Sequence, residues 1–485
     1  MKKIKHIFSF FLVAVSLMAL FTACASDEGN YDYTQSNDLT ITGLESSYLV
    51  EQFSSLSIHP AITGLQGFDS NNYDFVWYIY QINGNGDIDT LSTEKDLDAV
   101  INLSPKDYSL VFQAKDKQTG VFYMERTSVT VVNSYSNGLI ILSNVGGYGN
   151  VAFVNSIDKV TEDVFESVNG YKLGRNAVGA FYTGGDEVQR MVVITTDEGS
   201  VATDPIDFHV MFPFSEMFYF SMTPGRMTCL CRSEWGYDEH IIVDGYTFNR
   251  YIGFVDTPYQ KYGARVGGDY ELAPVSFYED NDPYFYDQKG KRFMYYNYSD
   301  LQPVLPAESP LFNPVNMGMT MLWGRNFSVS GESHVRAVMQ DGSGNRFFIG
   351  GVKDVGYDMT TWESFYRLLP THKQALTQEG AAQAVSFAIG INEPNFLYYG
   401  YGNKIVCVSA NTGNVITTYT MPQNIDYMEF NYYDNPEQLY VAVSDGSGNA
   451  KSGSVYVLEA GSNGTLSELK NYKNICGKVV DFEYK

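Results

Sequence analysis

Between Leu39 and Val132, apolar and polar residues alternate in short runs, the period-two pattern of strands that bury one face. The stretch "DFVWYIYQINGNGDI" from Asp74 gives an alternating strand. Turn chemistry follows at Asn83-Gly84-Asn85-Gly86, then a second extended run. "KDYSLVFQAKDKQTGVFYMERTSVTVV" from Lys106 predicts two further strands joined across Asp116-Lys117-Gln118-Thr119-Gly120. Residues 38–133 therefore read as a small β-sandwich with Trp77 in its core.

Beyond Ser134 a looser repeat begins. Short apolar or aromatic runs recur as "VGAFYT" at 178, "MFYFSM" at 217, "PVSFY" at 274 and "GMTMLW" at 318, then as "AVSFAIG" at 384, "DYMEFN" at 426 and "KVVDFEY" at 478. Hairpin pairs such as "RAVMQDGSGNRFFIGG" and "KIVCVSANTGNVITTY" follow most of them. About seven units at this spacing predict a β-propeller over residues 134–485, with blades carrying long loops. The last run ends at Lys485 without a hairpin of its own, and "GLIILSNVGGYGNVAFVN" at 138 supplies an unpaired one. Pairing the two would close the ring and hide its edges. The expected class is all-β, a sandwich followed by a propeller of about seven blades. A large or multiple β-sandwich is the alternative.

The N-terminus has a different pattern. Lys2, Lys3 and Lys5 precede an apolar stretch from Ile7 to Phe21, the length of a signal peptide and short of the ~20 residues that span a bilayer. Its end, Phe21-Thr22-Ala23-Cys24, resembles a bacterial lipobox, with Phe21 a loose match to the usual aliphatic position. That resemblance implies cleavage after residue 23 and acylation of Cys24 on its sulfur and amine, several chains being needed for stable anchoring. An ordinary secretory signal cut nearby is the alternative. Residues 1–23 are then a leader and residues 24–37 a flexible tether. Ser26-Asp27-Glu28 resembles the acidic export signal that sends Bacteroidetes lipoproteins to the outer face of the outer membrane.

Charge narrows the partners. Losing the leader's three lysines takes Lys+Arg from 32 to 29 against 56 Asp+Glu, and the net charge from -24 to -27. Such a surface repels nucleic acid and anionic bilayers, so membrane attachment is expected through the lipid alone. Thirty-eight Tyr, 31 Phe and 44 Gly among 485 residues suit strands and tight turns. Cys229-Leu230-Cys231 reads as a strand with both thiols on one face, and with Cys407 and Cys476 these are expected to be buried free thiols. No G-x-S-x-G, H-E-x-x-H or P-loop occurs, and the six histidines show no ligand spacing. "DNDPYFYDQ" lacks the Gly and distal Glu of a calcium loop, and "DGSGN" at 341 and 445 reads as a strand-joining turn. No enzyme is expected, and no cofactor, iron entering only within a bound chelate.

Gly29-Asn30-Tyr31-Asp32-Tyr33 after the cysteine, the sandwich stretch, Asn137-Gly138-Leu139-Ile140-Ile141-Leu142-Ser143 and Gly477-Lys478-Val479-Val480-Asp481 together resemble the Bacteroidetes PKD-like family lipoproteins. The resemblance implies a PKD/Ig-like sandwich and a companion TonB-dependent transporter of SusC type. Lipoproteins of similar layout include surface binders of ferric siderophores made by other bacteria. It implies cargo capture without fixing the cargo: a ferric siderophore first, a glycan second. A glycoside hydrolase or lyase is the third reading.

For an anionic aromatic chelate the matching residues are basic and tyrosine-rich loops in an otherwise acidic chain. These are Tyr171, Lys172 and Arg175; Tyr259, Lys261, Tyr262 and Arg265; and His372 with Lys373. Loops feeding the inner strands of a propeller share one face, so these groups are expected to converge on one mouth.

The anchor assignment has a direct check. Replacing Cys24 by Ala is expected to release the protein from the outer membrane on cell fractionation. Neutralising Asp27 and Glu28 should leave it lipidated but shielded from protease added to intact cells.

Overall fold

The computed structural model describes residues 37–82, 84, 87–135, 137–183, 190–223, 225–232, 238–251, 260–278, 282–391, 394–432 and 435–485. The chain divides into two compact units, one up to Val131 and one from Val132. Cys24, Ser26, Asp27, Glu28 and Tyr259 lie outside the described residues.

In the first unit the alternation becomes a five-stranded sheet, antiparallel among its last four strands. Its order is Ser47–Glu51, Phe122–Val132, Asp107–Asp116, Tyr73–Gln81 and Ile88–Ser92. Two-stranded pairs, Leu39–Thr42 with Ala61–Gly64 and Ser55–Ile58 with Leu97–Val100, complete the sandwich. Trp77 is wholly buried, 4.6 Å from the Phe112 ring, and its Nε1–H donates to the Lys95 carbonyl at 3.1 Å. The large ring is desolvated while its one polar group stays satisfied.

The second unit is a β-propeller of seven sheets, six with four strands and one with three described strands. The inner strands are Ala177–Thr183, Met227–Arg232, Leu272–Phe277, Thr320–Val329, Ser386–Ile389, Asn424–Asn431 and Lys478–Tyr484. Within each blade the chain steps outward through antiparallel neighbours. The last strand belongs to the first blade: Lys478–Tyr484 pairs antiparallel with Gly138–Val145, which pairs with Tyr148–Asn155 and then Val160–Thr161. We count blades from that one, so the blades with inner strands at 177, 227, 272, 320, 386 and 424 are the second to seventh. The join is tight. Gly138 and Lys485 exchange backbone hydrogen bonds at 2.9 and 3.1 Å.

Six of the seven predicted apolar runs are inner strands. "MFYFSM" is not. Phe214–Met217 forms a 3-10 turn, and the third blade's inner strand is "MTCLCR", Met227–Arg232. The apolar run is instead pinned to the segment before the fourth blade. The Tyr262 N–H donates to Met217 O at 2.7 Å and the Tyr219 N–H to Tyr262 O at 3.1 Å, with Phe218 packed on Phe248 and Tyr262. Hydrophobicity was satisfied there by plugging a blade seam.

Because the closing strand holds the first blade together, Phe482→Ala, which empties a site only 6% exposed in the seam between the seventh and first blades, is expected to destabilise the propeller by roughly 3–5 kcal/mol. Urea denaturation, following the two units separately, checks it.

Candidate functional site

All seven inner strands contribute to one central cavity of about 730 Å³. Its walls are aromatic at Tyr182, Tyr278, Trp323, Phe327, Tyr427 and Tyr432. The lining reaches past the far ends of three inner strands, at Tyr278, Ile391 and Tyr432, and among the described residues includes none from the loops that feed those strands.

Charge in the cavity is concentrated on three strands. Arg325 of the fifth blade pairs with Glu429 of the seventh at 3.4 Å, its guanidinium 3.1 Å from the Tyr432 ring centroid. The Tyr427 hydroxyl donates to Glu429 Oε2 at 3.2 Å and also lies within hydrogen-bonding reach of Asp481. Asp481, on the closing strand, accepts the backbone N–H of Ala180 at 2.9 Å. Burial raises the Glu429 carboxyl above its usual range, Arg325 pulling the other way, although 31% of the side chain still faces the cavity. Burial, reinforced by Glu429, lifts Asp481 to about 8. Glu429 and Asp481 titrate as a linked pair. Cys229 and Cys231 also line the cavity as free thiols, burial pushing Cys229 up to about 11 and raising Cys231 too, so neither is a ready nucleophile.

The residues singled out from the sequence lie elsewhere. Lys172 and Arg175 precede the second blade and cover the Tyr148 ring at 5.6 and 4.9 Å. Arg175 also donates to the Tyr148 hydroxyl at 3.1 Å and lies 3.7 Å from Glu198. Tyr171 is exposed and edges onto Phe165. Arg265 lies 3.9 Å over Tyr246 and 5.1 Å from Tyr270. Lys261 is half-buried.

Strand alternation puts the Arg175 and Arg265 loops on the same face, but neither lines the cavity. Tyr262 is a correction. It is fully buried, its hydroxyl donating to Glu239 beneath the Arg250 guanidinium, so it is core, not ligand-facing. His372 and Lys373 are a second correction, being strand residues in Glu363–Leu376 and not a loop. Pro370 gives "LLPTHKQ" its loop-like appearance, yet this outermost strand tolerates proline because an edge N–H needs no partner.

Glu429 and Asp481 were passed over inside the runs "DYMEFN" and "KVVDFEY", and Arg325 just beyond "GMTMLW". Charges set among the apolar and aromatic residues of an inner strand are the signal that would have found them. Among the described residues one group could offer three ligand atoms to a cation, Asp204, Asp207 and His209. His209 Nδ1 is already 2.6 Å from Asp207, and Lys485 places a positive charge beside both carboxylates.

Residues 24–176 match the PKD-like family. The match takes in the sandwich and the first-blade strands between Gly138 and Thr161. No curated protein matches the sequence. Among solved structures the chain is similar to a quinonprotein alcohol dehydrogenase-like protein from Bacteroides thetaiotaomicron VPI-5482, at 12% identity over 92% of this chain and 99% of that one, TM-score 0.37. It is also similar to Saccharomyces cerevisiae Sqt1, at 10% over 63% and 90%, TM-score 0.37. A third is the β-propeller domain of Myceliophteria thermophila Cps50 (Swd1), at 10% over 64% and 94%, TM-score 0.41. The propeller assignment rests on the strand order above.

The Asp481 carboxyl gives a pH test. Its folded value, about 8, lies above the ordinary 3.8. The stability that its protonated form contributes is full below 3.8 and is lost as pH rises through 8. Asp481→Asn keeps the acceptor for Ala180 and cannot ionise. Its stability relative to wild type should climb from pH 5 to 8 and level off above, read by urea denaturation at each pH. A gap that does not move with pH would refute the assignment.

Proposed function

We propose that this chain is an outer-membrane lipoprotein, anchored through Cys24 and facing outward, whose propeller captures a small ligand for a TonB-dependent transporter. The observation that supports capture is the central cavity: about 730 Å³ falls within the ~300–1,000 Å³ of small-molecule sites, and its walls combine aromatic faces with charged, amide and hydroxyl side chains.

Its charge favours one ligand class over another. Among the described lining residues Arg325 faces three carboxyl groups, Glu429, Asp481 and Glu483. A ferric catecholate, anionic as a whole, would find the one described lining cation already paired with Glu429. A neutral hydroxyl-rich ligand such as an oligosaccharide would find aromatic faces to stack on and carboxyl and amide groups (Asn326 and Asn431) to hydrogen-bond. The glycan reading therefore gains over the siderophore reading.

A glycoside hydrolase gains from one observation. Glu429 and Asp481 share the reach of one tyrosine hydroxyl, and Asp481 is held protonated near neutral pH, as a general acid must be.

The test is calorimetric titration of the soluble protein, without its acylation site, against panels of oligosaccharides and ferric siderophores. Saturable oligosaccharide binding is expected, weakened roughly tenfold, or about 1.4 kcal/mol, by Trp323→Ala. Ferric catecholate binding that depends on Arg175 and Arg265 would move the ligand to the feeding-loop face and sink the cavity reading. Slow cleavage of a bound oligosaccharide, abolished by Glu429→Gln, would instead make the protein an enzyme.

A further inference from the structure

Away from the cavity network, the fifth blade holds a group of basic side chains whose polar atoms end without partners. Arg336, on the strand Glu332–Gln340, is only 7% exposed. Its Nη1 donates to the Val335 carbonyl at 3.1 Å, its guanidinium lies 5.4 Å from the Phe327 ring, and its Nε–H has no acceptor. No carboxylate pairs with it among the described residues. Burial alone lowers its pKa to about 10. A guanidinium in that position is costly unless something negative or strongly accepting meets it.

Two histidines adjoin it. Arg336, Gly350 and His372 are register partners across three neighbouring strands. The glycine leaves the space that the two side chains share: a Cβ at position 350 would lie 2.1 Å from His372 Cε1 and 2.7 Å from Arg336 Nη1. His372 packs on Phe348 at 5.2 Å, and its buried Nε2 has no partner. His334 stacks on Phe327 at 6.0 Å, Nε2 lying 3.6 Å from Glu332 and the buried Nδ1 unpartnered. Phe327 and Phe348 belong to the core shared with Phe387, Leu397 and Tyr399 of the sixth blade, so the cluster lies at that seam.

We propose that Arg336, His372 and His334 form a site for a small oxyanion, such as inorganic phosphate, sulfate or the carboxylate of a small acid, at the seam between the fifth and sixth blades. The Arg336 Nε–H supplies a charged donor, and each imidazole can turn an N–H toward the anion, protonating if the bound charge favours it. The anion would supply the counter-charge that the guanidinium lacks and tie two blades together. This site is independent of what the central cavity binds.

The experiment titrates the protein with inorganic phosphate, sulfate and acetate at constant ionic strength, by calorimetry and by melting temperature. Expected are saturable binding and a melting temperature that rises with anion concentration as linkage requires. Arg336→Gln and His372→Gln should each weaken binding at least tenfold. Gly350→Ala, which fills the shared space without removing charge, should do the same. If that variant does not fold, the first two decide. A preference for phosphate and sulfate over acetate assigns a tetrahedral oxyanion, and the reverse a carboxylate. Absence of saturable binding by wild type, or affinity unchanged in the Arg336→Gln/His372→Gln double variant, overturns the site.

Discussion

The return of the C-terminal strand to the first blade is the constraint on which the rest of the propeller depends. A ring of sheets built from one chain leaves two raw edges, and each would expose a row of unpaired N–H and C=O groups. Pairing Lys478–Tyr484 with Gly138–Val145 satisfies both. The backbones approach so closely that a side chain is excluded at one end of the seam, where a Cβ at Gly477 would lie 2.2 Å from the Asn144 carbonyl oxygen. On its other side, within the same blade, a Cβ at Gly138 would lie 2.1 Å from the Val154 carbonyl oxygen. The glycines of "NGLIILS" and "GKVVD" are therefore structural, whereas Asp481, which ends the second motif, lines the cavity.

The same strand builds the cavity. Asp481 reaches it only because the C-terminus returns to the innermost position, where it takes the Ala180 N–H of the second blade. The pairing register shifts beside it, between Leu142 and Ser143. An irregular backbone there aims a carboxyl inward, as bulges often do near functional sites. Ring closure and the polar network around Tyr427 are thus one arrangement, and a sequence lacking the last eight residues would lose both together.

Most of the fold was legible because alternation and repeat spacing follow directly from how sheets bury one face. What escaped was tertiary in origin. "MFYFSM" has the composition of an inner strand, but a parallel bridge to Tyr262 holds it as a plug, and nothing local distinguishes the two uses. His372 and Lys373 were read as a loop although they lie in an edge strand, since edge position is a property of the sheet and not of the residue. The site was less legible than the fold. Cations were sought in an acidic chain, whereas the groups that meet in the cavity are mostly carboxyls scattered over strands that were read only as core.

The fate of the basic residues explains that error. Arg175, Arg250, Arg265 and Arg325 all lie against tyrosine rings, as Lys172 does, so tyrosine faces take much of the positive charge before any ligand arrives. A cation spread over a ring remains charged, but it is held in place, and its donors are partly committed to neighbours such as Glu198, Glu239 and Glu429. Basic loops in a tyrosine-rich acidic protein are therefore poor evidence of an anion site. An unpartnered donor inside the fold is better evidence, because burial removes the water that would otherwise satisfy it. By that criterion the Arg336 cluster is a stronger anion candidate than any exposed loop, and the central cavity, with its carboxyls and aromatic walls, suits a neutral ligand.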